Sequence, residues 1–287
     1  IDTGIDYTHP DLAANVWTNS AEIPGNGIDD DGNGFVDDVH GYDFVNNDGN
    51  TDIQAGDYGG QYVHGTLILG CLGAYQLGEL VGGAYDASFI LCKTEDISQE
   101  VPVEEDNYVA GLEFIEANGG DMTTSSLGYI DWYTQADLDG LTAVTTVAIN
   151  IASSHGLHCC TAAGNEGHDA DPNTSHLIAP ADAFKVLTCG AVDLSGIIAG
   201  FSSDGPTADA RVKPELLARG VDTYTVAADG STGYWTASGT SLSTPLLACV
   251  VACLTQAHPD WTVDQMRAAL FQTGGGYVAN GTYDPLY

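Results

Sequence analysis

Short apolar runs alternate with stretches of helical spacing along this chain, and few folds accommodate that rhythm. The segments ASFILCKTE (87–95), DMTTSSLGY (121–129), LHCCTAA (157–163) and KVLTCGAV (185–192) each read as a buried strand. Asp106 is expected to cap a helix carrying Val109, Leu112 and Ile115 on one face, closed by Gly119-Gly120. From Thr134 to His155, Leu138, Leu141, Val144 and Ile151 recur at helix-like spacing, ended by Gly156. Repetition of strand and helix predicts an α/β protein: a three-layer fold with a mostly parallel central sheet and helices on both faces.

Further along, Ser241 to His258 is apolar nearly all round, which predicts a helix buried in the middle of a domain and too short for a membrane span. An amphipathic helix is expected over Val263–Gln272, and residues 220–240 read as antiparallel strands around a Gly-rich turn. No linker, low-complexity run or internal repeat divides the 287 residues, so one domain spanning 1–287 is expected. The abrupt start at Ile1-Asp2-Thr3-Gly4 and the abrupt end at Tyr283-Asp284-Pro285-Leu286-Tyr287 predict that both ends are cut from a longer precursor.

Charge narrows the function. Forty acidic residues against six basic ones give a net charge of -34. Nucleic acid and anionic membranes need Lys and Arg, so both are excluded as partners. Seven cysteines are present, most in apolar runs, and no C-x-x-C pair suggests zinc. They read as buried small hydrophobes.

Four residues stand where chemistry is expected, at strand ends or helix starts. Ser241, in ASGTSLSTP, opens the apolar helix, where free N–H groups favour developing negative charge. A serine hydroxyl needs a base, and His64 in YVHGTLILG precedes Gly-Thr and an apolar run. Asp2, after Ile1 and before Thr3-Gly4, is placed to orient an imidazole. Asn165, in CCTAAGNEG, follows a buried strand and a glycine, where its amide can donate to an oxyanion. Taken singly, Ser241 also fits a helix cap, Asp2 and Asn165 turn residues, and His64 a structural or exposed histidine.

The segments DTGID, HGT, SSLGY, AAGNEG and GTSLSTP occur in this order over nearly the whole chain, and together they resemble the subtilisin-like serine proteases, the subtilase family (peptidase family S8), of the bacterial secreted type. The resemblance implies a triad of Asp2, His64 and Ser241, with Asn165 and the Ser241 N–H as oxyanion donors. Ser126, Leu127 and Gly128 would pair with substrate backbone, and Ala162, Ala163 and Gly164 would wall the S1 pocket. It further implies protein or peptide substrates, an extracellular location, a monomer and a propeptide outside this chain. Departures are few: Leu67 stands for the usual His after HGT, and Ala218-Arg219-Gly220 for Ala-Pro-Gly.

Calcium is the implied cofactor. In GNGIDDDGNGFVDD, Asp29, Asp31, Asn33, the Phe35 carbonyl, Asp37 and Asp38 offer hard oxygens at a spacing that wraps one Ca²⁺. A second stretch, GYDFVNNDGNTD, resembles a calcium loop of thermitase-like subtilases, with Asp43, Asp48, the Asn50 backbone carbonyl and Asp52 as ligands. The alternative function is a catalytically impaired, calcium-stabilised binding module on the same fold. A carboxylate-pair glycosidase ranks behind both, since no specific acid pair stands out.

Overall fold

The computed structural model describes residues 1–169, 171 and 173–274; the closing Tyr-Asp-Pro-Leu-Tyr lies outside the described residues. In chain order the elements are β1 (Gly41–Asp43), α1 (Val63–Gly73), β2 (Tyr75–Gln76), β3 (Leu80–Val81), β4 (Leu91–Lys93), α2 (Val103–Ala117), β5 (Met122–Ser125) and α3 (Val144–His155). They continue with β6 (His158–Ala162), β7 (Leu187–Val192), β8 (Leu216–Arg219), β9 (Thr223–Val226), β10 (Tyr234–Ala237), α4 (Thr240–Ala257) and α5 (Val263–Thr273). They fall into two compact units, one of Ile1–Gly120 with Tyr224–Thr236, the other of Asp121–Thr223 with the chain from Ala237 onward.

In the first unit β1 and β4 pair in parallel, with Gly41 opposite Leu91 and Asp43 opposite Lys93. All six residues are buried. A side chain at Gly41 would put its Cβ 1.8 Å from the Leu91 carbonyl oxygen, so only glycine lets the strands approach. Asp2 extends this pairing as a one-residue bridge opposite Lys93: its N–H donates to Cys92 O, and its carbonyl accepts from Thr94 N–H, both at 3.0 Å. Helix α2 begins at Val103, three residues before the expected cap Asp106, which lies in its first turn. Pro102 fixes the entry, and the Glu104 carboxylate takes the Val101 and Asp96 N–H groups at 2.9 and 3.0 Å. The buried face is Tyr108, Leu112, Phe114 and Ile115, with Val109 half-buried.

The second unit holds a four-stranded parallel sheet in the order β5-β6-β7-β8. Every residue of β6 is buried, and α4 lies on all four strands. The parallel strands therefore occur as two sets among the described residues rather than as one run. The helix expected over 134–155 starts only at Val144. Thr134 and Asp137 close a short 3-10 turn, Gly140 takes a left-handed φ of 84°, and the Asp139 carboxylate caps the N–H groups of Leu141 and Thr142. The apolar residues that suggested that helix mostly face outward: Leu141, Val144 and Ile151 are exposed, while Thr145, Thr146, Ile149, Ala152 and Ser153 are buried. Leu138 alone of the four is fully buried.

Helix α4 corrects two expectations. Its buried residues end at Val251, leaving Val250 and Cys253 exposed. Its 18 residues, of mean hydropathy 1.4, are also long and apolar enough to cross a membrane by length and composition, and half of them are buried within the fold. The remaining six cysteines are buried, as expected. Burial pushes the Cys92 thiol up to about 11 and the Cys189 thiol to about 12, so neither forms a nucleophilic thiolate at neutral pH.

Candidate active site

In the first unit, Asp2 and His64 form a close pair. Asp2 is 4% exposed, and its Oδ1 takes the Thr3 N–H at 2.8 Å and lies 2.7 Å from His64 Nδ1. His64 stands in the first turn of α1, with its side chain 33% exposed. Gly65 must follow, because a Cβ there would come within 2.2 Å of Gly4 O and 3.1 Å of Asp2 Oδ1. The buried Gln61 braces the same turn, donating to Thr3 O at 2.7 Å and to Glu95 O while accepting the Ile97 N–H. Burial alone would raise the Asp2 carboxyl, but the charge and hydrogen bond of His64, with the Thr3 N–H, hold it below the ordinary carboxylate value. For His64 burial acts downward; the Asp2 charge and hydrogen bond, with Glu95 adding, outweigh it and raise the imidazole. With Nδ1 donating to Asp2, the neutral ring carries its lone pair on Nε2.

The second unit builds a different kind of structure around Ser241. Pro245 lies one turn into α4 and has no N–H to give the Ser241 carbonyl. Ser126 supplies the missing donor: its Oγ–H reaches Ser241 O at 2.8 Å, while Ser241 Oγ–H donates to Ser126 O at 3.2 Å. Asn165 is fixed by its oxygen, which accepts the Thr240 N–H at 2.9 Å and lies 3.1 Å from the Thr240 hydroxyl. Its NH₂ group makes no hydrogen bond among the described residues and remains able to donate. Residues 126–128 follow β5 without belonging to a strand, and a Cβ at Gly128 would meet Ala179 O at 2.8 Å. Ala162 and Ala163 are buried, and Ala163 packs with Leu138, Leu177 and Ala179, so only main chain there is available to line a pocket.

The family model for the subtilase family matches residues 1–283. The chain belongs to the subtilase family. It is 34% identical to serine protease AprX of Bacillus subtilis (strain 168) over 142 residues, 43% of this chain and 31% of that protein. To subtilisin E of the same organism it is 30% identical over 285 residues, 99% of this chain and 61% of that one. The chain thus spans about three fifths of subtilisin E and a smaller part of AprX. A solved structure, of a cold-adapted subtilisin-like serine proteinase, superposes with a TM-score of 0.68 at 24% identity, covering 99% of this chain and 84% of that one. It shares the α/β fold of parallel strands and flanking helices read from the sequence.

Two acidic loops of this subtilase differ from expectation. In the first, one carboxylate oxygen each from Glu22, Asp31 and Asp38 lies within 4.8 Å of the others. Asp29 instead takes the N–H groups of Gly32, Asn33 and Gly34, and Asp37 those of Asn26 and Gly27. Asn33 Oδ1 accepts the Phe35 N–H, and its Nδ2 donates to Asp31 and Asp38. The Phe35 ring packs edge-on against Tyr42 and Phe114. Of the four predicted carboxylate ligands, Asp31 and Asp38 join the cluster and Asp29 and Asp37 do not. Glu22 is added, and nothing in its sequence neighbourhood marked it. Burial first raises the Asp38 carboxyl, with Asn33 and Asn19 opposing and Asp31 and Glu22 adding. Like charges gathered around a buried carboxylate fit a hard cation.

In the second loop the side chain of each predicted residue accepts a nearby backbone N–H. Asp48 accepts the Asn50 N–H, Asn50 the Asp52 N–H, and Asp52 the Ile53 N–H. Asp43 takes the N–H groups of Val45 and Asn46 and pairs with Lys93 at 2.8 Å. Asp43, the fully buried member of this set, is already engaged by an ammonium, and that charge does not fit calcium beside it. Asp57 and Lys93, which no spacing rule flagged, hold the centre of that loop.

Proposed function

We propose that this chain is a serine endopeptidase that hydrolyses proteins through an acyl-enzyme on Ser241. The observation that carries the reading is the buried Asp2 carboxylate held 2.7 Å from His64 Nδ1, in a member of the subtilase family. His64 Nε2 takes the Ser241 proton as Oγ attacks the scissile carbonyl, then passes it to the leaving amine. Asp2 fixes the tautomer and stabilises the imidazolium. The Asn165 NH₂ and the Ser241 N–H receive the oxyanion. Water deacylates the enzyme by the reverse proton route. Substrate backbone pairs along Ser126-Leu127-Gly128, and the main chain of Ala162-Ala163-Gly164 walls S1.

We read the two units as one catalytic domain, because the family model spans both. Glu22, Asp31 and Asp38 would hold a Ca²⁺, which supplies a structural cross-link and takes no part in the chemistry. The kinship with subtilisins supports protein substrates and an extracellular setting, and a monomer released from a propeptide. A fluorophosphonate probe tests the proposal: it should label the wild-type chain, and Ser241→Ala should abolish both labelling and peptide hydrolysis. A folded wild-type chain that resists the probe and cleaves nothing would favour the binding module.

A further inference from the structure

Lys93 is one of six basic residues set against forty acidic ones, and the fold buries it. Its ε-ammonium lies 2.8 Å from Asp43 Oδ2 and 2.7 Å from Asp57 Oδ2. The side chains of Lys93 and Asp43 are fully buried, and that of Asp57 is 5% exposed. Two amides complete the shell: Asn46 Nδ2 bridges Asp43 and Asp57 at 2.9 and 3.0 Å, and Gln54 Nε2 donates to Asp43 at 3.0 Å. Pairing of β1 with β4, which sets Asp43 opposite Lys93, brings the ammonium there.

We propose that Lys93 is the resident cation of the loop from Asp43 to Asp57, standing where a divalent ion would otherwise bind, so that this loop is independent of metal. The ammonium offsets one of the two buried carboxylate charges and touches both groups, and the other donors around them are amide N–H groups. A dipositive ion placed between Asp43 and Asp57 would sit against the ammonium in a buried setting, where repulsion is weakly screened. Lys93 also ties the loop to Asp2, its backbone partner across the one-residue bridge. A fixed charge at this point holds the loop beside Asp2 at any calcium concentration. The inference stands apart from the calcium reading of the Glu22–Asp38 loop.

Equilibrium dialysis against radiolabelled calcium tests it with binding as the readout. Asp48→Asn and Asp52→Asn remove supposed ligands whose side chains only cap local turns. Both variants should bind as many ions per chain as wild type, and a loss of one ion in either overturns the proposal. Lys93→Met should gain one ion per chain and acquire a thermal midpoint that rises with calcium. A folded Lys93→Met chain with the wild-type count and the same melting in chelator and in calcium also overturns it. If Lys93→Met does not fold, the two aspartate variants decide alone. A wild-type count of zero refutes calcium at the first loop and leaves this proposal standing.

Discussion

The Asp2–His64 pair and the Ser241–Asn165 turn are organised by different forces. The first is held by charge: burial alone would raise the Asp2 carboxyl, the facing imidazole with the Thr3 N–H lowers it, and each partner shifts the other's titration. The second is held by backbone geometry: a proline deletes one donor, a serine replaces it, and an amide is fixed through its oxygen. No ionisable side chain takes part in those second contacts. The difference teaches that the pair should answer to pH and charge, and the turn to the loss of single neutral hydrogen bonds.

The largest effect that sharpens this contrast is expected from Asp2→Asn, which keeps the shape and removes the charge. It should lower kcat/KM by about 10⁴-fold, measured on a peptide amide substrate. A loss below tenfold would show that charge does not organise the pair. Next comes Asn165→Ala, which should lower kcat by about 10²–10³-fold with little change in KM, a magnitude known for the oxyanion amide of subtilisin itself rather than one that this geometry yields. If the loss falls wholly on KM, the amide binds ground-state substrate instead.

Ser126→Ala leaves the Ser241 carbonyl without its donor. It should remove about 1–3 kcal/mol of stability, read from the denaturant midpoint. An unchanged midpoint would mean that the Ser126–Ser241 clasp contributes nothing. The smallest expected effect is on the pH profile. The acid limb of kcat/KM should have its midpoint above 6.5, the ordinary histidine value, because the Asp2 charge raises His64 against burial; Asp2→Asn should move it down. For stability the signs run opposite. The His64 contribution is full below 6.5 and is lost as pH rises through its raised folded value. The Asp2 contribution is present above 3.8 and is lost as pH falls through its lowered folded value. Urea melts across that window should show the pair stabilising only between the two limits, and an Asp2→Asn chain should lose that pH dependence.

Much of this site could be read in the sequence where one short segment carries the cause. Gly65 after His64 answers a local clash, and Pro245 after Ser241 removes an N–H within one helical turn. The strands β4, β5, β6 and β7 lie within the four apolar runs that predicted them. Helix α3 misled because its spaced apolar residues face outward, whereas threonines on the other side find buried partners such as Asp182 for Thr146 at 2.5 Å. Periodicity reports that a helix has two faces and not which of them the rest of the fold covers.

By itself the sequence determined the residue types available for acyl transfer, their order, and the local turns that present them. It also determined that cations would be scarce. Only the tertiary structure decided which carboxylate meets which cation: Lys93 reaches Asp43 and Asp57 across 50 and 36 residues of chain, and Glu22 joins Asp31 and Asp38. The physical reason is that Coulomb interaction depends on distance through space and on exclusion of water, and both are set by strand pairing between segments that carry no mark of each other.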